Sequence, residues 1–507
     1  MSIEFNLIDD PWIPCIRADG QAVDLGLRDA LLQAHELRVL AGESPLVTAA
    51  LHRLLLAVLH RVFGPEGYNA WYALWKAGRW EASRLDAYLT RWRHRFNLFD
   101  PDRPFYQAAD DRVKPKPINS LVLDLAFGNK ATLFDHHTDA VGVALTPMEA
   151  ARAVVTAQTF GLAGLSGLPQ KFTDATCTRG VIFFVQGDTL FETLMLNMIR
   201  YPTDDDVMPH NPDDCPAWEM DDPFAPDRSI PRGYLDYLTW QNRRILLMPE
   251  QTPFGRLVQQ MTLAPGMRLE SEVLTQDPMK HYRVDKNRGL LVQRFNEDRA
   301  LWRDSAALFS LHSDAYRPPR TFQWLADLVD DGGLQVSQTR RYLALGMANN
   351  QARVDFYRAE SMPLPLKYLQ DDHLVGRLNE ALTMAENVRS QLWGAARQLA
   401  TLILSPQADS DEGRKPARED LDSLTNQWAV ERDYWSRLEL PFRQLIETLP
   451  DAAEETLARW RETLHRTAWI AFNRLLGDLE RDPHKLKATV RARDQLAMGL
   501  GKVLPKS

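Results

Sequence analysis

The sequence predicts an α+β protein: a large mixed α/β domain over residues 1–362, then a C-terminal four-helix bundle over residues 366–507. Two observations carry that expectation. Through the first part of the chain, short alternating or apolar runs bounded by Gly, Asp, Asn and Pro are interleaved with segments of helical period. Beyond Pro363-Leu364-Pro365 the pattern changes: Leu378, Leu382, Ala385, Val388, Leu392, Leu399 and Leu402 recur at helical spacing until Ser405-Pro406 breaks the run. Residues 419–438, 452–479 and 485–500 supply three further helical segments, with 407–418 as a polar surface loop. Four helices on short connections make a bundle. The length agrees, because 507 residues exceed what a single core usually serves.

Composition narrows the class. The chain is 45% hydrophobic and 25% charged, as in an ordinary globular protein. A net charge of -8 and a pI near 5.9 argue against a general nucleic-acid coat but leave room for a local basic groove. Cys15, Cys177 and Cys215 form no CxxC pair, which excludes a disulfide framework and a cysteine-rich zinc site and suits a reducing cytoplasm. Glu4, Asp9 and Asp10 occupy the place of a basic leader, and no uncharged run approaches a membrane span. A cytoplasmic location without a membrane partner is expected.

Taken in order, Pro11 to Ile16 and Ala22 to Leu25 flank Asp19-Gly20 and read as a hairpin, with Trp12 as a core anchor. Leu51, Leu54, Leu55, Val58, Leu59 and Val62 mark a buried helix over 46–62. The Trp-rich stretch 71–92 continues helical and reads as core. Residues 131–143 have no sustained period and read as a loop. A helix over 150–160 runs into Gly161-Leu162-Ala163-Gly164-Leu165-Ser166-Gly167-Leu168-Pro169. Val181 to Gly187 is a buried strand, 190–199 a helix, 201–232 a long Pro- and Asp-rich loop, and alternating strands follow to about Val292.

Four stretches carry candidate chemistry. Around Leu345-Gly346-Met347-Ala348-Asn349-Asn350-Gln351-Ala352, loose alternation before and Val354 and Phe356 after predict a hairpin or tight corner. Three consecutive carboxamides at its tip could serve an ordinary polar turn, or offer donors and acceptors to base edges. The glycines at 161, 164 and 167 let backbone approach a ligand, although no GxGxxG or GxxxxGK[ST] phosphate loop is present. His136, His137 and Asp139 could be read as metal ligands or an acid/base cluster, but no H-x₃-H or H-E-x-x-H spacing supports them. In the last helix, Lys485, Lys487, Arg491 and Arg493 form either a solvated face or a basic track for nucleic-acid backbone. Lys487 and Arg491, at i,i+4, are the pair that shares a face.

The segment Gly346-Met347-Ala348-Asn349-Asn350-Gln351-Ala352 with Arg353, together with Phe5-Asn6-Leu7-Ile8-Asp9-Asp10-Pro11-Trp12-Ile13-Pro14, resembles the CasA family, the large subunit of the type I-E CRISPR surveillance complex (Cascade). That resemblance extends in length and element order along nearly the whole chain. It implies a subunit that inspects duplex DNA for a protospacer-adjacent motif (PAM), starts strand separation and provides the platform for a recruited helicase-nuclease. Its implied partners are crRNA, the other Cascade subunits and double-stranded target DNA. Residue by residue, it implies a wedge at Gln351 with Asn350 and Ala352. It implies a glycine loop at Gly164 and Gly167, and a loop near crRNA and DNA carrying Phe134. The family's lysine finger lies between two strands, and here Arg268 is the nearest cation, with Lys280 and Lys286 as alternatives. Where the family can carry a cysteine cluster, around 252–265, this chain has none, so neither a structural zinc nor any cofactor is expected.

No Ser/His/Asp, Cys/His or metal-ligand spacing forms a catalytic constellation, so the expected activity is binding and deformation rather than chemistry. The rival expectation is a metal-dependent hydrolase centred on His136, His137 and Asp139.

Overall fold

The computed structural model describes residues 4–122, 143–200, 211–253, 255–274, 277–350, 353–405, 415–477, 479 and 483–505. It divides into two compact units. The first comprises Met1–Asn296, Leu311–Gln335 and Arg340–Ser361; the second comprises Glu297–Ser310, Val336–Thr339 and Met362–Ser507.

The described strands form four three-stranded sheets. Ile13–Arg17 lies between Ala22–Leu25 and Leu37–Leu40, with Ile13 opposite Leu25 across the Asp19-Gly20 turn. Trp12 is fully buried, and its indole N–H donates to the Leu7 carbonyl at 2.8 Å, so its core-anchor role includes a satisfied polar tip. Arg243–Thr252 pairs with Gly255–Pro265 in a long hairpin, Lys116–Pro117 adding to its outer edge. A shorter hairpin joins Tyr282–Asp285 to Gly289–Val292. The remaining sheet is Arg353–Pro365, Thr339–Asn350 and Ile182–Gln186, in that order.

The helix Pro45–Phe63 is the core of the first unit. Pro45 sits at its first turn behind the Ser44 cap, and by length and composition it is apolar enough to cross a membrane, with mean hydropathy 1.5. Here 83% of that stretch is buried inside the unit. Arg53, on the same helix, is ion-paired with buried Asp277 at 3.0 Å. Burial acts to raise the Asp277 carboxyl, but Arg53 and Lys280 outweigh it and hold it below its ordinary value. The Trp-rich stretch is two helices, Tyr68–Ala77 and Ala82–Trp92. Trp71 and Trp80 are core, whereas Trp75 is half-exposed and stacks on Trp71 at 5.1 Å.

The second unit is built on Asp372–Leu404, whose seven apolar positions read from the sequence are all buried. Asp371 caps it by accepting the Leu374 N–H at 3.1 Å. The expected second helix is two, Arg418–Trp428 and Val430–Thr448, broken where Ala429 takes a left-handed φ of 48°. Ala453–Gly477 and Pro483–Val503 complete the bundle. Ala488, Ala492 and Gly499 are buried on the last helix, and a side chain at Gly499 would stand 2.5 Å from the Gln391 amide oxygen. Small residues there let the last helix approach Asp372–Leu404 closely.

Candidate nucleic-acid interface

The hairpin expected around Asn349-Asn350 is present. Thr339–Asn350 pairs antiparallel with Ile182–Gln186 from Arg341 opposite Gln186 to Leu345 opposite Ile182, and Arg353–Pro365 lies along its other edge. Residues 346–350 therefore run on past the end of the inner strand. Tyr342, Ala344 and Leu345 are buried, as is Met347, while Asn349 is half-exposed. Burial thus relaxes toward the tip, where carboxamides replace apolar residues. A β-carbon at Gly346 would stand 2.9 Å from the Gly180 carbonyl, so the motif carries glycine there because two backbones meet. Gln351, Ala352 and the Asn350 side chain lie outside the described residues, as do Phe134, His136, His137 and Asp139.

The glycine run is a built loop. It leaves the helix Pro147–Phe160, which starts with a Thr146/Glu149 capping box. Gly164 and Phe172 exchange both backbone hydrogen bonds, at 3.2 and 3.0 Å, and close the loop. Inside it, the Ser166 hydroxyl accepts the Leu168 N–H at 3.0 Å and donates to the Gln170 carbonyl. Gly167 has φ +79°, a left-handed conformation that favours glycine.

The base of this loop is clamped by Arg243, buried to 4% exposure. Its guanidinium donates to the Leu162 carbonyl at 2.7 Å on one arm and the Thr173 carbonyl at 3.0 Å on the other, and stacks 4.8 Å from the Phe172 ring. A side chain at Gly161 would meet this guanidinium at 2.8 Å, so that glycine clears space for the clamp. Burial lowers the Arg243 pKa to about 9, with Asp174 acting in the opposite sense. Asp174 accepts the Ala163 N–H at 2.9 Å and pairs with Arg179 at 2.5 Å. Gly180, the next residue, makes the contact with Gly346, so residues 174–180 join the glycine loop to the hairpin.

Cations gather here on an acidic chain. Arg179 lies close enough to Arg294 that, after burial, it helps lower that guanidinium's pKa. Lys171 and Arg268 are exposed. Arg268 follows Gly255–Pro265, just past Met267, whose N–H donates to the Gln241 carbonyl at 3.0 Å, and the helix Ser271–Leu274 separates it from the next strand, Tyr282–Asp285. Next to Gln241, the Asn242 amide reaches the Thr173 hydroxyl at 2.9 Å, which keeps Arg268 near the loop base. Lys280 is buried, its ammonium donating to the Thr176 carbonyl at 2.6 Å, and so is unavailable to a ligand. Lys286 is exposed in the hairpin turn between Tyr282–Asp285 and Gly289–Val292. In the second unit, Lys487 and Arg491 are both exposed one turn apart, while Lys485 is half-buried and Arg493 lies 5.5 Å over the Trp469 ring.

Arg243, Asp174 and Arg179 escaped the sequence reading. One signal was available. Arg243 shares its strand face with buried Ile245 and Leu247, and an arginine at an inward position of an alternating strand needs partners. Among the described residues no group of three or more His, Cys, Asp or Glu could hold a metal ion, and the three cysteines are free. Burial pushes the Cys15 thiol up to about 12, with Asp24 adding to the rise, so it is no thiolate nucleophile near neutral pH.

Known proteins match along the whole chain. Residues 6–471 match the family described as CRISPR-associated protein Cse1. A Thermus thermophilus CRISPR-associated protein CasA/Cse1 is 35% identical over 520 residues, covering 99% of this chain and 98% of its own. The crystal structure of Thermobifida fusca Cse1 superposes with a TM-score of 0.81 at 26% identity, covering 99% of this chain and 98% of that one. A chain of a CRISPR RNA-guided surveillance complex shares the fold, with a TM-score of 0.73 at 21% identity and coverage of 97% and 99%. The chain belongs to the CRISPR-associated Cse1 family.

Proposed function

We propose that this chain is the non-catalytic, DNA-binding large subunit of a type I-E CRISPR surveillance complex. It recognises the PAM in duplex DNA through the minor groove, starts strand separation for crRNA pairing and helps recruit the helicase-nuclease. The observation that carries this reading is the full-length match to a CasA/Cse1 relative. An anchored glycine loop with Lys171, Arg179 and Arg268 near it, joined to a hairpin whose sequence carries three carboxamides, supports it on a chain of net charge -8. Backbone amides and carboxamides suit the minor groove, whose degenerate pattern makes recognition of a short motif permissive. Opening the duplex costs a few kcal/mol per unstacked step, offset by phosphate contacts and guide pairing.

In this reading Gln351, with Asn350 and Ala352, is the wedge, and Gly164 and Gly167 face the PAM. Arg268 or Lys286 takes the finger's place, and Phe134 lies near crRNA and DNA. The partners are crRNA, the other Cascade subunits, PAM-bearing duplex and the helicase-nuclease, in the cytoplasm. Co-expression with crRNA and the other subunits tests it. The chain should co-purify with the RNA, and complex lacking it should lose preference for a PAM-bearing duplex over a scrambled one. A chain that neither co-purifies nor changes that preference would overturn the reading. Stoichiometric transition metal in the pure protein would point instead to the hydrolase.

A further inference from the structure

Leu165 stands at the mouth of the glycine loop and is 85% exposed. No other large hydrophobic among the described residues is as exposed; Leu440 follows at 66% and Leu486 at 65%. The residues around Leu165 are held firmly. Gly164, directly before it, is locked to Phe172 in both directions, and Ser166, directly after it, is tied to Leu168 and Gln170. Below that closing pair the Arg243 guanidinium and the Asp174 carboxylate fix both arms. An apolar side chain presented to water by a rigid loop gains nothing from this unit's own core. It gains when something else covers it.

The surroundings indicate what covers it. Leu165 and Lys171 are the residues next outward from the Gly164–Phe172 pair on the two arms, and both are exposed, so an apolar side chain and a cation flank the loop mouth. Arg179 and Arg294 stand near its base. Cations that neutralise phosphates beside an apolar side chain that enters between base steps are the pairing used by minor-groove proteins that kink DNA. A protein partner would meet an apolar patch broader than one leucine.

We propose that Leu165 is a second wedge, seated in the minor groove at the PAM and partly unstacking the adjoining base step, while Lys171 holds a neighbouring phosphate. This rests on the reading of the glycine loop as the PAM-facing element. It assigns the loop an active part in opening the duplex, alongside the hairpin at Gln351.

The test uses the assembled complex with a duplex carrying 2-aminopurine at the step beside the PAM, and a single-stranded target as control. Leu165→Ala should weaken duplex binding about tenfold, as losing a buried leucine contact implies. It should also abolish the 2-aminopurine fluorescence rise and leave single-strand binding unchanged. Leu165→Met, which keeps an apolar side chain of similar size, should retain most of both signals. A photo-crosslinking benzoylphenylalanine at position 165 should capture DNA. Wild-type duplex affinity and fluorescence in Leu165→Ala, or crosslinks only to another protein subunit, would overturn the proposal. Gly164→Val separates the two levels. If it impairs PAM-dependent binding while Leu165→Ala does not, only the wedge falls; if neither impairs it, the loop is no reader and the proposal falls with that reading.

Discussion

Arg243 is held where the surrounding chain excludes water, and it earns that place by donating to carbonyls on both arms of the glycine loop. Replacing it with methionine keeps bulk but leaves the Leu162 and Thr173 carbonyls short of donors. Arg243→Met should lower stability by about 2–4 kcal/mol in denaturant titration. It should also speed hydrogen exchange at the Gly164 and Phe172 amides more than elsewhere. His52 makes a different kind of residue-scale prediction. It is buried, 2.8 Å from the Thr48 carbonyl, and burial lowers its pKa from 6.5 to about 4, the Thr48 bond acting the other way. Below pH 6.5 the unfolded chain takes up a proton that the folded chain refuses, so stability falls as pH drops from 6.5 toward 4. The loss from this residue should be about 2 kcal/mol by pH 5, and His52→Gln should flatten the dependence of Tm on pH over that window. At the hairpin tip the cost moves from stability to binding. Asn350→Ala with Gln351→Ala should sharply reduce target binding by the assembled complex with little change in Tm, because the substitutions remove polar carboxamides and no apolar bulk. Equal DNA binding by wild type and variant would remove the wedge assignment.

At the scale of elements, what the sequence made legible is what local period and turn chemistry encode. The 13–25 hairpin, the buried helix near 46–62 and the hairpin near 349–352 all announce themselves through alternation, spacing or an Asp-Gly or Asn-Asn signal. The break at Ala429 did not, because alanine is a strong helix former and no Gly, Asn or Pro marks the left-handed φ it takes. The glycine loop was half legible. Its glycines marked a place of close approach, but the clamp comes from residue 243, whose role depends on a hairpin far along the chain. That difference bears on how the loop is tested. Gly164 sits in an extended bridge that other residues adopt, so Gly164→Val adds bulk without forcing the backbone. It should impair binding of a PAM-bearing duplex and spare a single-stranded target. Gly167→Val, at φ +79°, would also strain the loop by about 1–2 kcal/mol, so its effect mixes shape with bulk. Equal losses on duplex and single strand for Gly164→Val would make the loop a folding element.

For the molecule as a whole, the change of character near residue 366 was plain in the sequence, but the second unit also takes Glu297–Ser310 and Val336–Thr339 from earlier in the chain. Trp302 explains the first: it stacks on Phe442 at 4.5 Å, a contact between residues far apart in sequence that no local pattern encodes. Charge is likewise a property of the whole. With a net charge of -8, binding to a polyanion has to come from local cations, and Lys487 with Arg491 is such a pair in the second unit. Both are exposed and one turn apart, whereas Lys485 is half-buried and Arg493 lies over Trp469. If Lys487 and Arg491 each meet a phosphate, replacing both with alanine should weaken duplex binding by the assembled complex. The slope of log affinity against log salt should flatten by about 2, near one counterion per lost contact. PAM preference should stay as it was, since phosphate contacts position DNA without reading it. Lys485→Ala with Arg493→Ala is the matched control, removing the same charge from a half-buried lysine and from the arginine over the Trp469 ring, and should leave the slope nearly unchanged. If both double variants shift the slope equally, the effect belongs to net charge rather than to a contact. An unchanged slope in Lys487→Ala with Arg491→Ala would leave that face as bundle surface.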